Sequence, residues 1–224
     1  MGERIEITAA DGFTLGAYTA RPDETPRAGV VVIQEVWGVN NWVRSVADRF
    51  AHHGYLAVAP QMFDRLEPGF ESENYGPDHF PRVGQMMKRF DLEAAMRDIE
   101  AAAAVASEAG KVGITGYCFG GRMTWIAAHR GLGLAAGSGY YGGGVPNYIE
   151  LEPRIPLEMH YGDRDKGIPL EQIEALKARW PGVDIYLYGA DHGFCNSDRA
   201  VTFDAAACKE ASARTLAFFR KHLG

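Results

Sequence analysis

The chain has 224 residues, of which 46% are hydrophobic and 23% charged, with 27 Gly, 11 Pro and three Cys, a composition that suits a globular fold with a full core. Its 23 basic and 29 acidic residues give a net charge of −6, and no Lys/Arg-rich run occurs, which argues against a phosphate-backbone partner and sets nucleic acid aside. Three cysteines exclude a disulfide framework, and no stretch approaches the roughly 18 uninterrupted apolar residues of a membrane span.

Met1-Gly-Glu-Arg-Ile-Glu-Ile-Thr8 has neither a basic n-region nor an apolar h-region, so no secretory signal is expected and the cytoplasm is the expected location. Arg4-Ile-Glu-Ile-Thr8 alternates, the chain turns at Asp11-Gly12, and Phe13 to Tyr18 alternates again, the pattern of an antiparallel hairpin. Continuous apolar runs follow at 29–33, 55–59, 112–115, 134–140, 156–160 and 183–187, as for strands buried on both faces. Helical periods lie between them: 42–53 with Asn41 as cap and Gly54 as stop, a long one at 86–109 ending at Gly110, then 121–129, 170–180 and 202–223. A hairpin followed by β-α repeats predicts an α/β fold, a mostly parallel doubly wound sheet with helices on both faces. No repeat or linker divides the chain, so one domain over 1–224 is expected, as a monomer or small homo-oligomer. The long irregular stretch at 61–84 is rich in Pro, Gly, Asp and aromatic residues, and such loops are often functional.

The passage that points to chemistry is Lys111-Val-Gly-Ile-Thr-Gly116-Tyr-Cys118-Phe-Gly120-Gly121, where a strand runs through Gly-x-Cys-x-Gly into a helix, the setting of a nucleophile elbow. Glycines at 116 and 120 let strand and helix backbones approach closely, and the helix N-terminus favours thiolate over thiol at Cys118. The alternative is a buried structural cysteine. A base is available downstream at His192, just after the last strand, while His160 lies within a strand and reads as a satisfied core histidine. The acid comes from Gly162-Asp163-Arg-Asp165; Asp163 has the address of a turn residue, and Asp165, nearer the loop tip, is preferred. Backbone N–H groups for an oxyanion would come from Phe119 and from Val36 or Trp37, in Gln34-Glu35-Val36-Trp37-Gly38-Val39-Asn40. Glu35 is either a solvated loop charge or a group aimed into the site.

With these residues the chain resembles the dienelactone hydrolase family, the carboxymethylenebutenolidases of the α/β-hydrolase fold. The resemblance rests on the segment 34–40, on Phe90-Asp-Leu-Glu-Ala-Ala95, Gly116-Tyr-Cys118-Phe-Gly-Gly121, Tyr140-Tyr-Gly142, Asp165 in Asp-x-x-Ile-Pro, and His192-Gly-Phe194. It implies Cys118, Asp165 and His192 as a triad, Glu35 as an acid that helps deprotonate the thiol, and opening of a small unsaturated lactone through a thioester. In the family two arginines hold a substrate carboxylate, one of them four residues after the catalytic His. Here that position is Asn196; Arg199 and Arg82 lie near the two places without matching them. Trp37 and Tyr140 would join them in binding substrate, although aromatic residues near strand ends, among them Tyr117, Phe119 and Tyr141, are more often core.

No metal and no cofactor are expected: no His/Cys pair has zinc spacing, and Asp163 with Asp165 lacks the rest of a calcium loop. Cys195 and Cys208 match no motif, so packing is expected for Cys208, and Cys195 would either line the site or be exposed. The Gly142-Gly-Gly144 loop reads as a flexible turn. The leading expectation is a cysteine hydrolase of a small lactone or ester, in the manner of aromatic-compound degradation. The length leaves no room for a large lid domain, and the pocket is expected under the 61–84 loop. A general carboxylesterase or thioesterase with the same triad is the second reading, and a ligand-binding or redox-sensing module without turnover is the third.

Overall fold

The structure, a computed structural model, describes residues 2–224, with the side chain of residue 77 left aside. The described residues form two compact units that divide between Val112 and Gly113. In the N-terminal unit, β1 (Glu3–Thr8) and β2 (Thr14–Ala20) make the expected hairpin, with Glu3 opposite Thr19 and Thr8 opposite Thr14. Strand β2 is antiparallel to β4 (Tyr55–Pro60), and β4 is parallel to β3 (Ala28–Ile33), giving the order β1-β2-β4-β3. Every residue of β3 and β4 is buried, as continuous apolar runs require.

Helix α1 (Asn41–His52) is capped by Asn40 and not by Asn41: the Asn40 side chain accepts from the Val43 N–H at 3.2 Å, and Asn41 becomes the first helical residue. The long helix expected at 86–109 is two helices. α2 (Phe80–Lys88) ends at Arg89, and Asp91 caps α3 (Leu92–Ala106) by accepting the Ala94 N–H at 3.1 Å, after which a 3-10 turn, Ser107–Ala109, leads to Gly110 at φ 103°. The irregular stretch at 61–84 therefore contains the start of α2, preceded by a 3-10 turn at Pro77–His79.

The C-terminal unit carries β5 (Val112–Tyr117), β6 (Leu134–Tyr140), β7 (Leu157–Gly162) and β8 (Asp184–Tyr188) in that order, with β6, β7 and β8 parallel. Helix α4 (Phe119–Arg130) follows β5, α5 (Leu170–Arg179) follows β7 and α6 (Ala205–Leu223) follows β8, while a 3-10 turn at Val145–Tyr148 lies between β6 and β7. Along β5, a Cβ on Gly113 would meet Phe219 and Leu223 of α6, whereas one on Gly116 would meet Gly120 and Thr124 of α4. Strand residues of opposite parity face opposite sides, so α4 and α6 cover the two faces of this sheet.

One bond was not anticipated from the sequence. Cys195 and Cys208 form a disulfide, their α-carbons 4.7 Å apart, and Cys195 is 2% exposed, so it is neither a lone packing residue nor an exposed thiol. The physical reason is tertiary: the loop after β8 folds back so that Phe194 O accepts the Asp204 N–H at 3.0 Å, which lays Cys195 against the first turn of α6. Among the described residues, no helix is long and apolar enough to cross a membrane.

The division of the long helix makes Asp91 a stability determinant. Asp91→Ala should lower the unfolding free energy by about 1 kcal/mol in urea titrations, and Asp91→Ser should recover most of it, because a hydroxyl also serves as an N-cap. Equal stability of all three proteins would show that the helix runs on without a cap.

Candidate active site

Cys118 sits between β5 and α4 at φ 55° and ψ −110°, a backbone strain of about 1–3 kcal/mol for a residue with a side chain. Its N–H donates to Tyr140 O at 3.0 Å, which fixes the turn to the end of β6. The turn depends on glycine: a Cβ on Gly116 would lie 2.2 Å from Gly120 O, and one on Gly121 would lie 2.4 Å from Tyr140 O. The helix starts two residues earlier than its periodicity indicates, which makes Phe119 its first residue.

The other two side chains arrive from the ends of β7 and β8. Beyond Gly162 the chain turns through Asp163 to Asp165, and the Arg164 N–H donates to Ala190 O at 3.0 Å, joining this turn to the loop after β8. Gly162 permits that approach, since a Cβ there would lie 2.3 Å from Ala190 O. Asp165 is buried; its Oδ1 accepts the Gly167 N–H at 2.8 Å, and its Oδ2 faces His192 Nδ1 at 2.6 Å. Asp163 is exposed and bonds through its backbone N–H to Tyr188 O, the turn residue that the sequence indicates.

His192 also hydrogen-bonds the side chain of Cys118. Burial acts to lower its pKa, but the electrostatic interactions and hydrogen bonds with Cys118 and Asp165 outweigh burial and push it up to about 10. Tyr141, itself at φ 35°, stacks its ring obliquely 5.1 Å from that of His192, and its N–H donates to His160 O at 2.7 Å.

His160 is the satisfied core histidine expected. Its Nδ1 meets Tyr188 Oη at 2.8 Å and its Nε2 meets Glu158 Oε1 at 3.0 Å, with Ser138 and Thr215 completing the cluster. Tyr140 belongs to this core: it is buried, its hydroxyl lies 2.6 Å from Thr215 Oγ1 and its ring stacks 4.6 Å from Tyr117. Burial of the hydroxyl raises its pKa well above the ordinary value, and the bond to Thr215 only partly opposes this.

The remaining sequence candidates are placed separately. Arg199 lies on the His192 loop, where a Cβ on Gly193 would be 2.7 Å from its Nη1. In the N-terminal unit, Glu35 is 1% exposed, which removes the reading of a solvated loop charge. Val36 follows it, and Trp37 is buried in an aromatic cluster, its ring 5.6 Å from Tyr75 and 5.4 Å from Phe80. Arg82 is ion-paired with Glu67 and lies over the Phe70 ring. Tyr141, one of the strand-end aromatic residues for which a core place was the preferred reading, has its ring beside His192.

A strained cysteine, a histidine bonded to it and a buried carboxylate on the far ring nitrogen, set beyond the ends of β5, β8 and β7, is a hydrolase arrangement. The dienelactone hydrolase family model matches residues 15–223. The chain belongs to the dienelactone hydrolase family. This hydrolase is 30% identical over 225 residues to carboxymethylenebutenolidase 1 of Cupriavidus pinatubonensis, covering 96% of this chain and 95% of that protein. It is 34% identical over 232 residues to a putative carboxymethylenebutenolidase of Azospirillum brasilense, covering 98% and 99%. The crystal structure of a putative dienelactone hydrolase from Klebsiella pneumoniae superposes with a TM-score of 0.85 at 27% identity, covering 98% of this chain and 100% of that one. The fold is thus the α/β-hydrolase fold, and the hydrolase acts on carboxylic esters.

The His192 environment sets a pH signature. In an NMR titration the ring should stay protonated through neutral pH and titrate near 10, and Cys118→Ala should lower that value, because it removes the charge and the bond that oppose burial. Since the folded value lies above the ordinary 6.5, the stability contributed by the charged ring is whole below about 6.5 and is lost as the pH climbs through about 10. An unchanged titration in Cys118→Ala would mean that the sulfur does not hold the proton on His192.

Proposed function

We propose that this hydrolase opens a small lactone or ester through a thioester on Cys118. The observation that carries the reading is His192, bonded to Cys118 on one side and to Asp165 on the other. The Cys118 thiolate attacks the carbonyl carbon, forming a C–S bond, and the electron pair of the C=O moves onto oxygen. That oxyanion is met by the Phe119 N–H at the N-terminus of α4, where the helix dipole adds to the bond. As the intermediate collapses, the C–O bond to the leaving group breaks and the His192 imidazolium gives its proton to the departing oxygen. In a lactone the new hydroxyl stays attached to the acyl group.

Neutral His192 then takes a proton from water as that water attacks the thioester carbonyl. The C–S bond breaks, the acid is released, and the thiolate and imidazolium are restored. Asp165 keeps Nδ1 protonated and turned toward itself, so that the other ring nitrogen performs both transfers. Arg199, beside Gly193 on the histidine loop, is proposed as a substrate-binding residue, and a small ester or lactone fits these steps without a cofactor.

Cys118→Ala should reduce turnover of simple esters by about a thousandfold or more while the fold persists, and a mixing experiment with an activated ester should add one acyl group to Cys118 in intact-mass spectra. Activity within tenfold of the parent overturns the assignment. Asp165→Asn should cost far more kcat than Asp163→Asn, since only Asp165 holds the ring; the reverse ranking would move the acid to Asp163.

A further inference from the structure

We infer that β8 is the pairing edge of a symmetric dimer, in which a second copy of this chain adds its own β8 antiparallel, with Tyr186 of the two copies directly opposite. The inference is independent of the Cys118 chemistry. It concerns the edge of the C-terminal unit, where the strand order ends at β8 and β7 pairs its inner side.

The outer strands of the two units are built differently. In the N-terminal unit β1 exposes Glu3, Arg4 and Glu6, charges of the kind that keep another strand from adding to an edge. Strand β8, Asp184-Ile-Tyr-Leu-Tyr188, has its one charge at its first residue, and Leu187 is 38% exposed. Ile185 and Tyr186 are half-buried, so apolar and aromatic side chains lie along an edge that no Lys, Arg or Pro guards.

Hydrogen bonding shows which backbone groups face outward. Tyr188 O accepts the Asp163 N–H at 2.9 Å, so Tyr188 turns its peptide groups toward the β7 side. Peptide groups alternate in direction along a strand, which leaves the N–H and C=O of Ile185 and Leu187 pointing away from the sheet. With Tyr186 on a two-fold axis, Ile185 of each copy stands opposite Leu187 of the other, and each such pair exchanges both of its backbone hydrogen bonds. The tyrosines between them form the non-hydrogen-bonded pair, whose side chains lie closer together. A two-fold contact of this kind closes on itself and stops at the dimer.

The side chains match in the same register. Asp184, Tyr186 and Tyr188 share one face of the strand, and on it Arg214 of α6 lies 4.2 Å from the Tyr186 ring centroid and 5.5 Å from that of Tyr188. Asp184 of one copy falls opposite Tyr188 of the other, on the side where Arg214 lies, so a carboxylate approaches a guanidinium on both sides of the axis. Asp184 is exposed and the Arg214 side chain is 36% exposed, which leaves both available for this approach. On the opposite face Ile185 meets Leu187 as an apolar pair. This self-match selects a second copy as the occupant, since an unrelated strand would supply backbone groups without a carboxylate at that place.

Sedimentation equilibrium of the full chain should give the mass of two chains at about 100 μM, a concentration that populates a small, reversible contact. Leu187→Lys, which sets a charge on the outer edge, should give the mass of one chain at the same concentration with an unchanged circular dichroism spectrum. Asp184→Arg and Arg214→Asp should each weaken dimerisation by about tenfold, and the double variant should recover most of that loss because the exchanged charges still meet. A mass of one chain for the parent at about 100 μM overturns the dimer and leaves the edge to an extended segment of another protein. A dimer that survives Leu187→Lys, or charge variants whose losses add instead of cancelling, overturns the β8 register and moves the contact to another surface. Where Leu187→Lys does not fold, the presence or absence of cancellation in the double variant decides.

Discussion

The active site turns on one imidazole ring held from both sides. His192 is bonded to a buried carboxylate through Nδ1 and to a cysteine through its other face, and each bond requires a backbone approach that a side chain would block. Gly162 lets the acid's turn meet the histidine loop, Gly116 lets β5 meet α4, and Gly121 lets α4 meet the end of β6. Glycine at these points loses more conformational freedom on folding than other residues, so local stability is given up for position. The strained backbones at Cys118 and Tyr141 belong to the same arrangement, since both are fixed by hydrogen bonds to neighbouring strand ends.

Beneath the triad lies a second set of polar groups with a different task. Glu158, His160, Ser138, Thr215, Tyr140 and Tyr188 satisfy one another inside the core, and none needs water to do so. A network of this kind specifies one packing of β6, β7 and α6, because any slip would strand a charge or a hydroxyl. It reaches the active site through the backbone, where Tyr140 O holds the Cys118 amide and His160 O holds the Tyr141 amide, and through the Tyr140 ring, 6.2 Å from that of Tyr141.

Local features were legible in the sequence and long-range ones were not. The hairpin, the apolar strands and Cys118 in its glycine frame follow from patterns within a few residues, and the choice of Asp165 over Asp163 follows from distance along one turn. The split between α2 and α3 escaped because Val83, Met86, Ala94 and Ala95 keep a helical spacing across the break, and only the cap at Asp91 marks it. The core bond of Tyr140 was not legible because a residue at a strand end can face either way, and its partner Thr215 is 75 positions away. The disulfide escaped for the same reason: its two cysteines match no motif, and a reversal of the loop brings them together.

That disulfide gives the histidine loop an unusual mechanical property. Between Cys195 and Cys208 the chain runs out over the surface, and Val201 at its tip is 97% exposed. A protease that cut the peptide there would part the chain into two polypeptides, yet the sulfur bridge would still connect them on either side of the cut. His192 would stay anchored to α6 by a covalent path that bypasses the severed segment, so a nicked molecule would come apart on a denaturing gel only after its thiols were reduced.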